Sequence, residues 1–470
     1  MSFRAWVILG LYTIGLSQGW AGDLSPDQQR LLAGAKRSSK AGWIYLHIEG
    51  EARARGFQHG YLLAPEIREE LRIHRKAWSH RSGMTWEWLV SKSAELLTPK
   101  VDGENLEEID GIVAGLQAAG VATHRDELIA YNAQLEFEDY WWPQEKKRLG
   151  DSKDELGQPA HDRCSAFIAT GSWTADHGIV MGHNTMFDFV EASANVVLDL
   201  VPTRGHRILM QTQPGFIHSG TDFFLTDAGL VGCETTIGGF TSFDTNGIPE
   251  FVRFRRATQD ATNLVSWADI MKKGNNGGYA NAWLIGDTRS GEIARLELGL
   301  KYIGWETSRD GYFAGSNVAE DLALLRMETD RSETDIRKSS AARRLRWKQL
   351  LEEHRGRITT RNARKFLADD YDVYLQRHNP GSRTLCGHFE LDRGEFSGGE
   401  PYYPSGTFDG KVVDSKLAQS LSFEGRWGCA DGHPFIAEKF LRQHPQYDWQ
   451  RGLLRDRPTQ PWVEFTAGKE

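Results

Sequence analysis

The sequence predicts an α+β protein, on three observations. Helical apolar spacing dominates residues 24–142, period-two apolar patterns begin at Cys164, and a polar run separates the two. At 470 residues, with 40% hydrophobic and 11% aromatic side chains including sixteen tryptophans, the chain can bury one large core or two modest ones. The net charge is -8 and no Lys/Arg stripe stands out, which argues against a nucleic-acid partner.

Taken in order, Arg4, the apolar run "AWVILGLYTIGL" and the small residues of "SQGWAG" have the layout of a secretory signal peptide over residues 1–22. That run is too short to span a bilayer comfortably, so no stable membrane insertion is expected. The expected compartment is secreted or periplasmic, or lysosomal in a eukaryote. In "LSPDQQRLLAGAKR", Ser25 is a candidate N-cap with Pro26 at the first helical position. "GWIYLHIEG" reads as a short strand before a long helical stretch, and "TWEWLVSKSAELL" and "LEEIDGIVAGLQAAG" carry i, i+3, i+4 apolar spacing. Residues 23–142 therefore form an α-rich segment, and 143–163 a solvated linker.

From Cys164, "CSAFIATGSW" and "GIVMGHNTMFDF" flank "TADHG" as a β-hairpin with Gly178 in the left-handed position. Further strands are expected in "ANVVLDLVP", "HRILMQTQP", "FFLTDAGLVGCETTI", "NAWLIGDT" and "IARLELGL". Helices return in "NLVSWADIMKK" and "RKSSAARRLRWKQLLEEH", and one starts at Thr359–Thr360.

Four cysteines are few: Cys164, Cys233, Cys386 and Cys429. None is spaced from another as metal ligands usually are, so no metal, zinc included, and no cofactor is expected. At most one bridge is expected, Cys386 with Cys429. Cys164, at the junction of polar run and strand, admits three readings. It is a small buried hydrophobe, half of a papain-like Cys/His pair lacking that family's local context, or a nucleophile unmasked by cleavage after Arg163. In the third case the new α-amine, with an ordinary pKa of about 7.7–8.0, can serve as base for its own thiol.

The blocks "CSAFIATGSWTADHGIVMGHNTMFDF", "CETTIGGFTSFDTNGIPEFVRFRRA" and "GNNGGYANAWLIGDTRSGEIARLELGL" resemble the phospholipase B-like proteins. They also resemble the related penicillin acyltransferase (C45) group of N-terminal-nucleophile (Ntn) hydrolases. "EGEARARGFQHGYLLAPEI", "PSGTFDGKVVDSKLA", "RWGCADGHPF" and "HPQYDW" extend the resemblance over nearly the whole chain, in the family's order. It implies a four-layer αββα sandwich, self-cleavage between Arg163 and Cys164, and an α-chain that stays associated with a β-chain of residues 164–470. It also implies hydrolysis of an amide or ester in an acylated small molecule or lipid.

Within that resemblance Cys164 matches the nucleophile and Asn281 the oxyanion donor, a role whose loss typically costs about 3–4 kcal/mol. Asp188 matches the acid of a "GxNxD" segment, but two extra residues separate it from Asn184. His183 as orienter of the amine or thiol is weighed against a plain hydrogen-bonded histidine, and Asp188 as holder of the α-ammonium against a turn cap. Thr235 and Thr236 are candidate substrate-binding residues, against packing in a strand. Cys233 is expected to be buried and inert, Arg253, Arg255 and Arg256 to form a solvated charged face, and Glu297 to be structural. An acyltransferase and a non-catalytic exported binding protein remain the alternatives to a hydrolase.

Overall fold

The computed structural model describes residues 24–150, 163–394 and 400–470; the expected signal peptide and most of the polar run lie outside them. Helix α1 (Pro26–Leu32) starts at Ser25, whose side chain accepts from the Gln28 amide. Strands β1 (Lys36–Lys40) and β2 (Trp43–Gly50) precede helices α2 (Ala52–Leu62), α3 (Ala64–Ser82), α4 (Trp86–Leu96), α5 (Gly103–Ala118) and α6 (Arg125–Asn132). A short turn α7 (Gln134–Glu136) and a π-helical turn (Phe137–Trp141) lead into α8 (Trp142–Arg148).

Helix α8 corrects the start of the expected linker of residues 143–163, which is helical through Arg148. Pro143 sits in its first turn, where a missing N–H costs nothing, and Glu145 pairs with Arg148 at 2.5 Å one turn on. Polarity alone hid a helix whose apolar contribution comes from Trp142.

The remaining strands are β3 (Ser165–Thr170), β4 (Val180–Asp188), β5 (Val196–Pro202), β6 (Ile208–Thr212), β7 (Phe223–Thr226), β8 (Leu230–Thr236), β9 (Asn281–Asp287), β10 (Glu292–Leu298), β11 (Ile303–Ser308) and β12 (Gly311–Gly315). They are followed by a two-residue ladder β13 (Tyr371–Asp372) and β14 (Arg377–His378), then β15 (Ser405–Asp414), β16 (Ser422–Trp427) and β17 (Val463–Thr466). One sheet runs β1-β2-β5-β6-β7-β8-β9-β10-β11, the other β12-β3-β4-β15-β16-β17. β3 and β4 form the expected hairpin, but the left-handed residue of its turn is His177 (φ 61°), not Gly178.

Side chains alternate between layers as the two-residue period demands. In β3, Ala166 and Ile168 enter the core between the sheets, while Phe167 and Ala169 face outward. In β5, Val197 joins the inter-sheet core, while Val196, Leu198 and Leu200 face the first helical layer. That layer comprises α3–α6 with α9 (Glu250–Asp260) and α10 (Leu264–Lys272). On the far side Phe167, Val180 and Val412 pack against α12 (Ser339–Glu353) and α13 (Thr360–Leu367), an outer pair that follows the short α11 (Leu322–Glu328). The result is the αββα sandwich implied by the resemblance.

Two glycine pairs draw α2 and α5 into backbone contact. A Cβ at Gly56 would lie 1.9 Å from the Glu108 carbonyl oxygen, and one at Gly60 2.1 Å from that of Ile112. A Cβ at Gly111 or Gly115 would likewise lie 2.4 Å from the Arg53 or Phe57 carbonyl oxygen. The same contact buries Glu108, which accepts from Arg55 at 2.7 Å and from Arg255 at 3.0 Å. Burial opposes its ionisation, yet the two guanidiniums hold it down to about 2. Arg255 and Arg253 are 1% and 2% exposed, so the solvated arginine face expected here is reduced to Arg256. Arg253 instead donates to the carbonyls of Ile248 and Met271.

Gly60→Ala or Gly111→Ala should destabilise the protein by about 2–3 kcal/mol, because backbone rather than a movable side chain must yield; urea unfolding measures this. His59 is buried with its pKa lowered to about 4 by burial, and its Nε2 accepts from the Gly215 amide at 2.9 Å, so it folds neutral. A histidine whose folded pKa is depressed loses its contribution to stability as pH falls from about 6.5 towards that value. His59→Gln keeps an acceptor without the proton site and should flatten the decline in unfolding free energy across pH 6.5 to 4.

Candidate active site

The start of β3 is held from both sides. Upstream, Arg163 donates to Asp139 of the π-helical turn at 2.5 Å and lies over the Phe187 ring at 4.8 Å, leaving 13% of its side chain exposed. Downstream, the buried Arg343 of α12 donates to the Cys164 carbonyl at 2.7 Å, the Ser165 hydroxyl at 2.9 Å and Asn317 Oδ1 at 2.5 Å. Asn317 in turn donates to the Thr236 carbonyl at 2.7 Å, tying the end of β8 to this clamp.

Cys164 is 2% exposed and has φ 40°, a left-handed conformation that a residue with a Cβ adopts only under constraint. It is not alone. Of nine non-glycine residues with positive φ among those described, Cys164, Asp222 (φ 63°), Tyr279 (φ 54°) and Asn317 (φ 69°) converge here. Such conformations cost on the order of 1–3 kcal/mol each and gather where the surrounding contacts over-determine the chain.

The thiol faces a carboxylate pair. Cys164 Sγ and carboxylate oxygens of Asp222 and Glu234 lie within 4.8 Å of one another. Tyr279 donates through its hydroxyl to Asp222 at 2.6 Å or to Glu234 at 2.8 Å. Burial, and then their mutual repulsion, raises Glu234 well above the usual carboxylate range, and burial raises Asp222 as well. The pair therefore keeps a proton where separate carboxyls would not. Burial, with the Asp222 charge added, pushes the thiol up to about 12, so Cys164 is a neutral thiol in the intact chain. Behind it, Lys411 is fully buried and bonded to Asp409 at 2.5 Å, with Thr185 and Gln211 also accepting from it.

The other residues expected at the site fall in several places. His183 on β4, which pairs with Ala166 two residues on from Cys164, sends its Nε2 to the Glu234 carbonyl at 3.0 Å. Burial, and then Lys411, lowers its pKa well below the usual range, so it is a neutral donor that fixes the Glu234 backbone. Asp188 lies at the far end of β4, accepting from Arg81 at 2.7 Å and Tyr403 at 2.8 Å. Two extra residues carry it past the thiol, and the acids beside Sγ are Asp222 and Glu234 instead. Asn281 opens β9, buried beside Thr236, with its amide directed at the Ala280 and Tyr279 carbonyls. Thr235 and Thr236 are buried at the end of β8 with hydroxyls that find no partner among the described residues. Cys233 is buried in the inter-sheet core, and Glu297 accepts from the Glu320 and Asp321 amides at 2.8 and 2.7 Å, both as expected. Asp222, Glu234, Tyr279, Asn317, Arg343 and Lys411 escape the sequence reading. Their one signal is charge or polarity embedded in apolar strand patterns such as "LVGCETTI" and "TFDGKVVD".

Residues 101–297, which include this cysteine and its carboxylates, match the Phospholipase B family model. Over that span the chain is similar to phospholipase B. It is 27% identical over 247 residues to a phospholipase B of Crotalus adamanteus, covering 47% of this chain and 42% of the relative. It is 37% identical over 97 residues to the putative phospholipase B-like 2 of Homo sapiens, covering 19% of this chain and 16% of the relative. The matched part thus spans less than half the length of these curated relatives. A variant of conjugated bile acid hydrolase from Clostridium perfringens aligns with a TM-score of 0.36 at 10% identity, covering 56% of this chain and 89% of that one.

In the intact, folded chain, alkylation of Cys164 at neutral pH should lag that of the unfolded chain by roughly a thousandfold, because the thiolate is the reactive form. Mass-spectrometric mapping of iodoacetamide adducts against time checks this.

Proposed function

We propose that this chain is an acyl-bond hydrolase that makes its own nucleophile by cutting the Arg163–Cys164 bond. The observation that carries the reading is the left-handed Cys164, clamped by Arg343 on one side and the Arg163–Asp139 pair on the other, with its thiol against an acidic pair. A half-buried, ion-paired Arg163 is a poor substrate for an outside protease, which favours an intramolecular cut.

In that cut, Cys164 Sγ attacks the Arg163 carbonyl carbon while its proton passes to the ionised member of the Asp222–Glu234 pair. The C–N bond breaks as the amide nitrogen takes up a proton, leaving a thioester. Water then hydrolyses the thioester to an Arg163 carboxylate and a free thiol with an α-amine. In turnover the amine is the base for the thiol, which attacks an amide or ester carbonyl of an acylated small molecule or lipid and releases the amine or alcohol. Water clears the acyl-enzyme. Asn281 is the proposed oxyanion donor once its amide turns from the backbone carbonyls, and Thr235 and Thr236 the proposed substrate contacts. The α- and β-chains stay together because β2 pairs along its length with β5 inside the larger sheet. Export rests on the residue 1–22 pattern.

Intact mass and N-terminal sequencing of purified protein should give a fragment beginning at Cys164 that co-elutes with the residue 23–163 chain in gel filtration. Cys164→Ala should stay one chain. Arg343→Met should slow processing by about tenfold or more, as loss of a buried charged donor to the Cys164 carbonyl costs at least about 1.5 kcal/mol. A wild type that remains uncut and forms no acyl-enzyme with an activated acyl ester would overturn the reading.

A further inference from the structure

Away from Cys164, the outer face of the smaller sheet carries a second cluster. Cys386 and His388 lie in the loop after β14, Cys429 and Asp431 in the loop after β16, and the sheet's outer core includes both sulfurs. Four donor atoms, one from each side chain, lie within 4.8 Å of one another. The two sulfurs are 2.7 Å apart as free thiols, Cys429 Sγ is 3.3 Å from His388 Nε2, and Nε2 is 2.9 Å from Asp431 Oδ2. Cys386 and His388 are 0% and 2% exposed, Cys429 6%, and the Asp431 side chain 17%.

We propose that Cys386, His388, Cys429 and Asp431 bind a zinc ion. Two thiolates, an imidazole and a carboxylate are a donor set suited to zinc, and four protein ligands without an open position describe a structural site. Glu390 supplies the support such a histidine needs: its Oε1 lies 2.9 Å from His388 Nδ1, which puts the proton there and leaves Nε2 for the metal. Loop geometry agrees. Gly428 and Gly432 take φ 94° and 98° on either side of Cys429–Asp431, and the Asp431 oxygen not turned to His388 accepts from the His433 amide at 2.8 Å. A cysteine-to-cysteine spacing search passes over this set, because each loop pairs its cysteine with a different residue two positions on, Cys-x-His and Cys-x-Asp. The site is remote in role from the thiol chemistry; it ties the loop after β14 to the loop after β16.

The competing outcome is a Cys386–Cys429 bridge, which removes both sulfurs as ligands. Full-length protein purified without chelator and equilibrated with zinc sulfate should carry a single zinc per chain by plasma mass spectrometry. Cobalt(II) in place of zinc should show thiolate-to-metal charge transfer. Glu390→Gln, which leaves the ligands intact, should weaken zinc binding about 10–100-fold in competition with a chromophoric chelator. Non-reducing peptide maps that recover Cys386 joined to Cys429, or zinc-equilibrated protein without stoichiometric metal, would overturn the proposal. Both readouts are independent of processing at Cys164.

Discussion

The constraint on which this architecture turns is the clamp at the start of β3. A left-handed, buried Cys164 is unfavourable by itself, and it persists because groups on both sides fix the neighbouring atoms. Arg343 is the central one. A fully buried guanidinium is tolerated only when its donors are used, and this one spans the Cys164 carbonyl, the Ser165 hydroxyl and Asn317. Since Arg343 belongs to α12 and Asn317 follows β12, the clamp fixes the outer helical layer to the strand whose first residues carry the thiol.

The second principle is charge arranged in a dry interior. Lys411 and Asp409 form a buried pair on β15, and the Asp222–Glu234–Tyr279 group faces the thiol. Arg81, which meets Asp188, Glu191 and Glu138, lies beyond it. Each group is partnered, as burial requires, but the partners do not cancel everywhere. Near Cys164 burial, with the Asp222 charge added, suppresses the thiol, while near His183 burial, with the Lys411 ammonium added, keeps the imidazole neutral.

Much of this fold could be read from the chain. The caps at Ser25 and Thr359, the β3–β4 hairpin, strands β5–β10 and helices α10 and α12 follow from periodicity and turn residues. Strands β15–β17 were illegible because β15 buries Asp409 and Lys411 where a pattern reader expects apolar residues. The same physics hid Arg253 and Arg255, since a cluster of arginines looks solvated until its carboxylate or carbonyl partners, distant in sequence, are in place. At the site, proximity to the strand start made Cys164 visible, whereas Asp222, Asn317 and Arg343 come from three separate stretches that only the tertiary fold assembles.

That assembly gives the proposed cut an electrostatic consequence. Before it, Cys164 has an amide nitrogen, and the only groups of full charge near its sulfur are those already in the fold. After the proposed cut, the nitrogen is a free amine on the Cα that carries the thiol facing Asp222 and Glu234, and when it takes up the thiol proton it becomes a cation there. A new cation lowers the pKa of the thiol and of both acids, so the carboxylate pair loses the proton it kept and the thiol moves towards its reactive form. The acids proposed to balance that charge are Asp222, just before β7, and Glu234 of β8, rather than Asp188 at the end of β4. On the proposed cut, the arginine that holds the strained junction through the Cys164 carbonyl would hold the new N-terminus, and the amine made there would be both base and counter-charge for the thiol.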